Sequence, residues 1–174
     1  MTRLKSLALK LTAWMFALAL SAPLVAAETL SSPAGAPVLE ISGAITHTND
    51  GALARFDMDM LDALPQRETV TATPWHEGVQ SFTGPQIADL LDLVGAEGKT
   101  LRVVAINDYA IEIPVADMHE NPVILASRQN DAPMSVRDKG PLFVIYPFDE
   151  NPDLFNELYF SRSVWQVKAI EVHP

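Results

Sequence analysis

Phe82-Thr83-Gly84-Pro85-Gln86-Ile87-Ala88-Asp89-Leu90-Leu91-Asp92-Leu93-Val94-Gly95 is the stretch on which the fold turns. Thr83 and Gln86 stand at the spacing of a capping box, in which a hydroxyl caps the first turn and the residue three positions on returns a hydrogen bond. Ile87, Leu90, Leu91 and Val94 then recur at i, i+3, i+4 and i+7, which gives one apolar face. Gly95 can take the left-handed conformation that ends a helix. The pattern predicts a helix opening at Thr83 and closing at Gly95.

On either side the period changes. Upstream, residues 68–73 alternate with β-branched side chains and read as a strand. Asp57 can cap a short helix that runs to Leu64 before Pro65. In that helix the Asp57-Met58-Asp59-Met60 run buries its Met side chains rather than offering a copper site. Residues 38–45 form the first strand, with Gly43 a candidate bulge. Downstream, residues 100–106 and 110–113 make a hairpin around Asn107-Asp108-Tyr109, whose side chains suit a turn. Residues 123–127 are a further strand and residues 129–132 a turn. Residues 142–146 are a buried strand between Pro141 and Pro147. Residues 153–160 read as a short helix and residues 164–172 as the closing strand, with Trp165 in the core. No repeat or second linker appears. The expectation is one α+β domain, rich in strand with a mixed sheet, over residues 38–174, preceded by a Ser/Pro/Ala/Gly-rich flexible lead-in at 28–37.

The first 27 residues have a different character. Arg3, Lys5 and Lys10 precede an apolar run from Leu11 to Leu20. Pro23 breaks it, and Val25-Ala26-Ala27 offers the small residues of a cleavage site. A secretory signal peptide over residues 1–27 is expected, with Glu28 the mature start. The apolar run falls short of the ~20 residues that span a bilayer, so an anchor helix fits less well. No adjacent arginine pair marks the leader for the twin-arginine route, so a periplasmic or secreted protein exported unfolded is expected.

The whole chain of 174 residues carries a formal charge of −10; losing residues 1–27 removes three basic and no acidic residue and takes it to −13. An acidic surface of this kind repels nucleic acid and anionic membrane, so no nucleic-acid partner and no stable membrane insertion after cleavage are expected. The chain has no cysteine. That removes disulfides, thiolate nucleophiles, iron–sulfur clusters and cysteine zinc sites together. His47, His76, His119 and His173 lack the i, i+4 spacing of a zinc helix, so no metal site is expected. There is no G-x-S-x-G elbow, P-loop or G-x-G-x-x-G.

From Phe82 onward the order of pieces resembles the oxidoreductase molybdopterin-binding domain of the sulfite-oxidase type. The resemblance is carried by Phe82-Thr83-Gly84-Pro85, by Asn107-Asp108-Tyr109 before Ile111-Glu112-Ile113-Pro114, and by Val123-Ile124-Leu125-Ala126. It continues through the Asn130-Asp131-Ala132-Pro133-Met134 turn, Gly140-Pro141-Leu142, Val144-Ile145-Tyr146-Pro147 and Trp165-Gln166-Val167. It implies the sulfite-oxidase fold, and a cofactor cleft faced by the Asn107-Asp108-Tyr109 loop. In the catalytic members a cysteine thiolate just before the F-x-G piece binds molybdenum. Here Thr71 or Thr73 stands near that place, and a protonated hydroxyl is no substitute for a soft thiolate.

The ligand-binding candidates are therefore Thr71, Thr73, Trp75, His76, Asn107, Asp108, Tyr109, Arg128, Arg137, Lys139 and Arg162. Trp75-His76-Glu77 can line a pocket, the alternative being a surface loop with a partly buried Trp. Tyr109 can both stack and hydrogen-bond. The basic residues can form an anion site, since guanidinium forks bind phosphate, sulfate or carboxylate. The alternative for them is pairing with Asp131, Asp138 or Asp149. No catalytic residue and no cofactor are expected. The reading leans away from an enzyme and towards a small-ligand-binding, sensory or accessory module. Its ligand would be small and anionic or pterin-like, or its partner a periplasmic sensor or membrane-protein domain. The other possibilities are a molybdopterin-dependent oxidoreductase whose cofactor is held without a cysteine, and a purely structural interaction protein.

Overall fold

Strand-forming segments at the two ends of the chain meet in one sheet. The computed structural model describes residues 30–174; the expected signal peptide and the first residues of the lead-in lie outside them. β1 (Leu39–Gly43), β2 (Ala54–Phe56), β5 (Thr100–Ala105), β6 (Ala110–Pro114) and β11 (Val167–His173) form a five-stranded sheet in the order β2-β1-β11-β5-β6. β1 and β11 run parallel and the other pairs antiparallel, so the sheet is mixed. β3 (Gln66–Ala72), β4 (Val79–Pro85), β8 (Arg128–Gln129) and β9 (Ala132–Pro133) form a second, four-stranded sheet, and β7 (Ile124–Ala126) pairs with β10 (Phe143–Ile145). Four short helices, α1 (Met58–Asp62), α2 (Ile87–Leu93), α3 (Val115–Glu120) and α4 (Glu157–Arg162), complete an α+β domain richer in strand than helix. Among the described residues no helix is long and apolar enough to cross a membrane.

Local chemistry explains several boundaries. The Asp57 carboxylate accepts from the Met60 amide at 2.9 Å and caps α1 as expected, and its other oxygen accepts from the Gly35 amide at 2.6 Å. Residues 30–37 form no helix or strand; that bond and one from Asn49 to the Ser31 carbonyl tie them to the domain. Gly95 ends α2 at φ 59°, with its amide on the Asp92 carbonyl and the Ala96 amide on the Leu91 carbonyl, the paired bonds of a Schellman motif. Asn130 and Asp131 both take positive φ in the turn between β8 and β9.

Three expectations need correction. The helix does not open at Thr83. That residue lies in β4, opposite Glu68 on one side and Arg128 on the other, and α2 starts at Ile87 after Gln86, which makes no side-chain cap. Pairing on both edges outweighs the local capping pattern. Residues 153–160 are not one helix but a 3₁₀ turn (Pro152–Leu154) followed by α4, because Asn156 caps afresh at the Leu158 amide. Trp165 is neither in the last strand nor in the core. Gln166 turns the chain at φ 55°, β11 begins at Val167, and Trp165 is 38% exposed.

Two apolar clusters fill the interior. The larger lies against the five-stranded sheet, around Leu39, Phe56, Leu90, Val103, Tyr146, Phe148 and Ile170. The smaller holds Phe82, Ile124, Ala126, Met134, Phe143 and Ile145. Trp75 packs partly buried against both.

Candidate functional site

Trp75 owes its position to the segment that leaves β3. The Thr73 hydroxyl meets His76 Nδ1 at 2.8 Å, and Gly78, at φ 66°, allows the return into β4. The indole then lies 5.6 Å from the Phe143 ring, 6.1 Å from Phe160 and 5.7 Å from Trp165, the last two inclined to it by 77° and 72°. Edge-to-face pairs of this kind contribute about 1 kcal/mol each beyond area burial.

Phe160 and Trp165 come from α4 and the segment after it. α4 is pinned by a buried ionic group: Asp117 of α3 accepts from Arg162 Nη1 at 2.7 Å and from the Tyr146 hydroxyl at 2.9 Å. The Arg162 guanidinium also sits 5.4 Å from the centre of the Tyr159 ring. Burial, and then the neighbouring Asp117 carboxylate, push the Tyr146 phenol far above its ordinary value, so it stays a neutral donor.

The third wall is the β5–β6 turn. Asp108 takes φ 65°, its amide bonds the Ala105 carbonyl, and Asn107 Oδ1 accepts from the Tyr109 amide. The Asp108 side chain is occupied by Lys168 at 2.5 Å, which holds its carboxyl below the usual range. Tyr109 is 48% exposed and reaches the Ser161 carbonyl of α4 at a long 3.4 Å.

These three segments enclose an open cleft of about 370 Å³, lined by Trp75, Asn107 and Tyr109, by Glu157, Phe160 and Ser161 of α4, and by Ser163 and Trp165 beyond it. Its volume is within the usual range for a small-molecule pocket. Of the candidates read from sequence, Trp75, Asn107 and Tyr109 are brought together here. Glu157, Phe160, Ser161 and Trp165 were missed. An α4 amphipathic signal is too short to point at a cleft, and Trp165 read as core.

The basic candidates are not brought to it. Arg128 pairs with Asp62 at 2.5 Å and Arg162 with Asp117, aspartates other than those expected, because partners 66 and 45 residues away leave no local signature. Arg137 is exposed on the 3₁₀ turn Val136–Asp138, and Lys139 follows it at φ 69°. None of the four lines the cleft.

Thr71 and Thr73 are also outside the lining. Thr71 is fully buried, and its hydroxyl accepts from the Asp149 amide at 3.1 Å. Burial, and secondly the Lys139 charge, hold the His76 imidazole below its ordinary value. It faces the Phe82 and Phe143 rings at 5.6 and 6.5 Å.

A family model, described as the oxidoreductase molybdopterin binding domain, matches residues 46–173. The match begins upstream of Phe82 and so takes in α1, β3 and the Trp75 segment. Among solved structures, the sulfane dehydrogenase SoxCD from Paracoccus pantotrophus superposes with a TM-score of 0.59 at 17% identity. The alignment covers 78% of this chain and 37% of that one, so this chain spans little more than a third of its length. At that identity the likeness is one of fold. No curated protein matches the chain.

Proposed function

The chain belongs to the oxidoreductase molybdopterin-binding domain family, and from that premise we propose that it is an exported small-ligand-binding module that performs no molybdenum redox chemistry. The observation that carries the reading is the aromatic cleft of Trp75, Tyr109, Phe160 and Trp165, combined with the donor set. In the catalytic members that this chain resembles, a cysteine thiolate of the polypeptide binds the metal. This chain has no cysteine, and its two nearest hydroxyls are engaged, Thr71 by the Asp149 amide and Thr73 by His76. Among the described residues no three His, Asp or Glu side chains are grouped to hold a metal. A phosphate-bearing pterin would also want a guanidinium or ammonium, and the cleft wall has none. These residues do not fit a sulfite-oxidase-type centre, and no step is derived through one.

What they support is reversible binding. Trp75, Trp165 and Phe160 offer π faces and apolar area, while Asn107, Tyr109, Ser161 and Ser163 offer hydrogen-bonding groups at the edges. A planar ring of pterin size suits that lining better than a compact anion. Bound ligand touches Tyr109 on one wall and α4 on the other, which gives a sensory or accessory role a way to report occupancy.

The test is mass spectrometry of small molecules released by denaturing protein taken from its own envelope fraction. A stoichiometric ligand is expected, lost from Trp165→Ala purified in parallel. A cleft that carries nothing, and binds nothing from a small-molecule extract of that fraction, would end the reading. The family match favours a second one, a molybdopterin-dependent oxidoreductase with cofactor held without cysteine. It requires pterin fluorescence on denaturation and a dye-linked reductase activity.

A further inference from the structure

We propose that the cleft selects a small planar organic cation. This rests on the reading that the cleft holds a ligand, and adds the sign of its charge. Trp75 and Trp165 meet at 72° and Trp75 and Phe160 at 77°, so neither pair is a flat stack, and all three residues line the cleft. Aromatic faces attract a cation through their quadrupole, most strongly tryptophan. Glu157, exposed in the first turn of α4, is the sole ionisable carboxylate of the lining.

No positive charge opposes it. The lining has no Lys, Arg or His. Arg162 is committed to Asp117 and Lys168 to Asp108, while Lys139, whose carbonyl takes the Gln166 amide and whose charge acts on His76, stays outside the lining. Neither partner aspartate faces the cleft. Of the remaining polar groups, the Ser161 and Ser163 hydroxyls donate to the Leu158 and Tyr159 carbonyls and so present lone pairs, while Asn107 Oδ1 is taken by the Tyr109 amide and leaves the Asn107 Nδ2 hydrogens to donate. The net charge of −10 adds a field of the same sign. An anion meets repulsion here, a neutral ring gains stacking alone, and a cationic ring gains stacking, the Glu157 carboxylate and the field together.

Three molecules built on one ring separate these cases: 1-methylnicotinamide (methylated on the ring nitrogen, cationic), nicotinamide (neutral) and nicotinate (anionic). Trp75 and Trp165 are the tryptophans of the domain, Trp14 being in the leader. Their indole N–H resonances report binding directly in NMR titrations. The cation is expected to bind about tenfold more tightly than nicotinamide, with nicotinate the weakest. Glu157→Gln should bring the cation to within about threefold of nicotinamide. Equal affinities across the series, a preference for nicotinate, or a Glu157→Gln variant that keeps the full preference would overturn the charge selection while leaving ligand binding intact. If none of the three moves the indole signals, the charge selection falls, while ligand binding by the cleft still rests on the ligand released from the native protein.

Discussion

His76 and Asp57 each couple stability to pH, for opposite chemical reasons. The folded protein holds His76 neutral, because burial and then Lys139 disfavour the imidazolium. Its folded pKa therefore lies below the ordinary 6.5. The unfolded chain takes up the proton first, so the contribution is complete above about pH 6.5 and declines as the pH falls below that value. Asp57 titrates lower. Amide donors from Gly35 and Met60 hold its carboxyl below the ordinary 3.8, so its contribution is complete above that value and is lost as the pH falls through the folded pKa. Urea unfolding midpoints between pH 7.5 and 3 should show two declines, and His76→Gln should flatten the one nearer neutrality. A variant with an unchanged slope between pH 6.5 and 5 would show that His76 is not held neutral by the fold.

Elements carry the site through contacts that are long in sequence. Gly84 of β4 is needed for close approach, since a Cβ there would lie 2.1 Å from the Leu125 carbonyl of β7. Gly84→Ala should cost about 2 kcal/mol or more in the urea midpoint, because the obstacle is backbone that cannot yield cheaply. The tie between α3 and α4 is the other sensitive point. Asp117→Ala removes the shared acceptor and leaves the Arg162 charge and the Tyr146 hydroxyl without it, at a cost of about 3 kcal/mol. It should also broaden the Trp165 indole resonance as α4 loosens. Full stability in that variant would mean the group is an incidental surface pair.

Elements also show which parts of the molecule can be read from sequence. The Asp57 cap, the Gly95 helix end, the hairpin at Asp108 and the Asn130-Asp131 turn are set by side chains within a few residues, and local pattern finds them. Thr83 carries an equally good local signal for a helix, but β3 and β8 claim it from 15 residues before and 45 after. α3 escaped notice because Asp117 and Met118 are buried by tertiary packing, which a six-residue segment hardly announces. The site divides in the same way. Trp75, Asn107 and Tyr109 sit on turns where exposed aromatic and amide groups invite attention. Glu157 and Trp165 join them only through the packing of α4, and Arg128 and Arg162 of the expected anion site prove to be bound by distant aspartates.

For the whole molecule, the leader, the acidity and the missing thiolate tell one story. On the proposed reading, a chain sent out unfolded would fold after export without a cofactor loaded beforehand. It needs no disulfide, because its two clusters supply the core. N-terminal analysis of the envelope protein should find Glu28 as the first residue; an intact Met1 would remove export by cleavage from the argument. The likeness to the sulfane dehydrogenase marks a shared fold. The decisive number is the molybdenum content of protein purified from its own host without exposure to chelator, measured by inductively coupled plasma mass spectrometry against protein concentration. A ratio near zero is expected. About one molybdenum per chain would mean that an oxygen or nitrogen donor of this chain holds the metal, and that the protein is a redox enzyme.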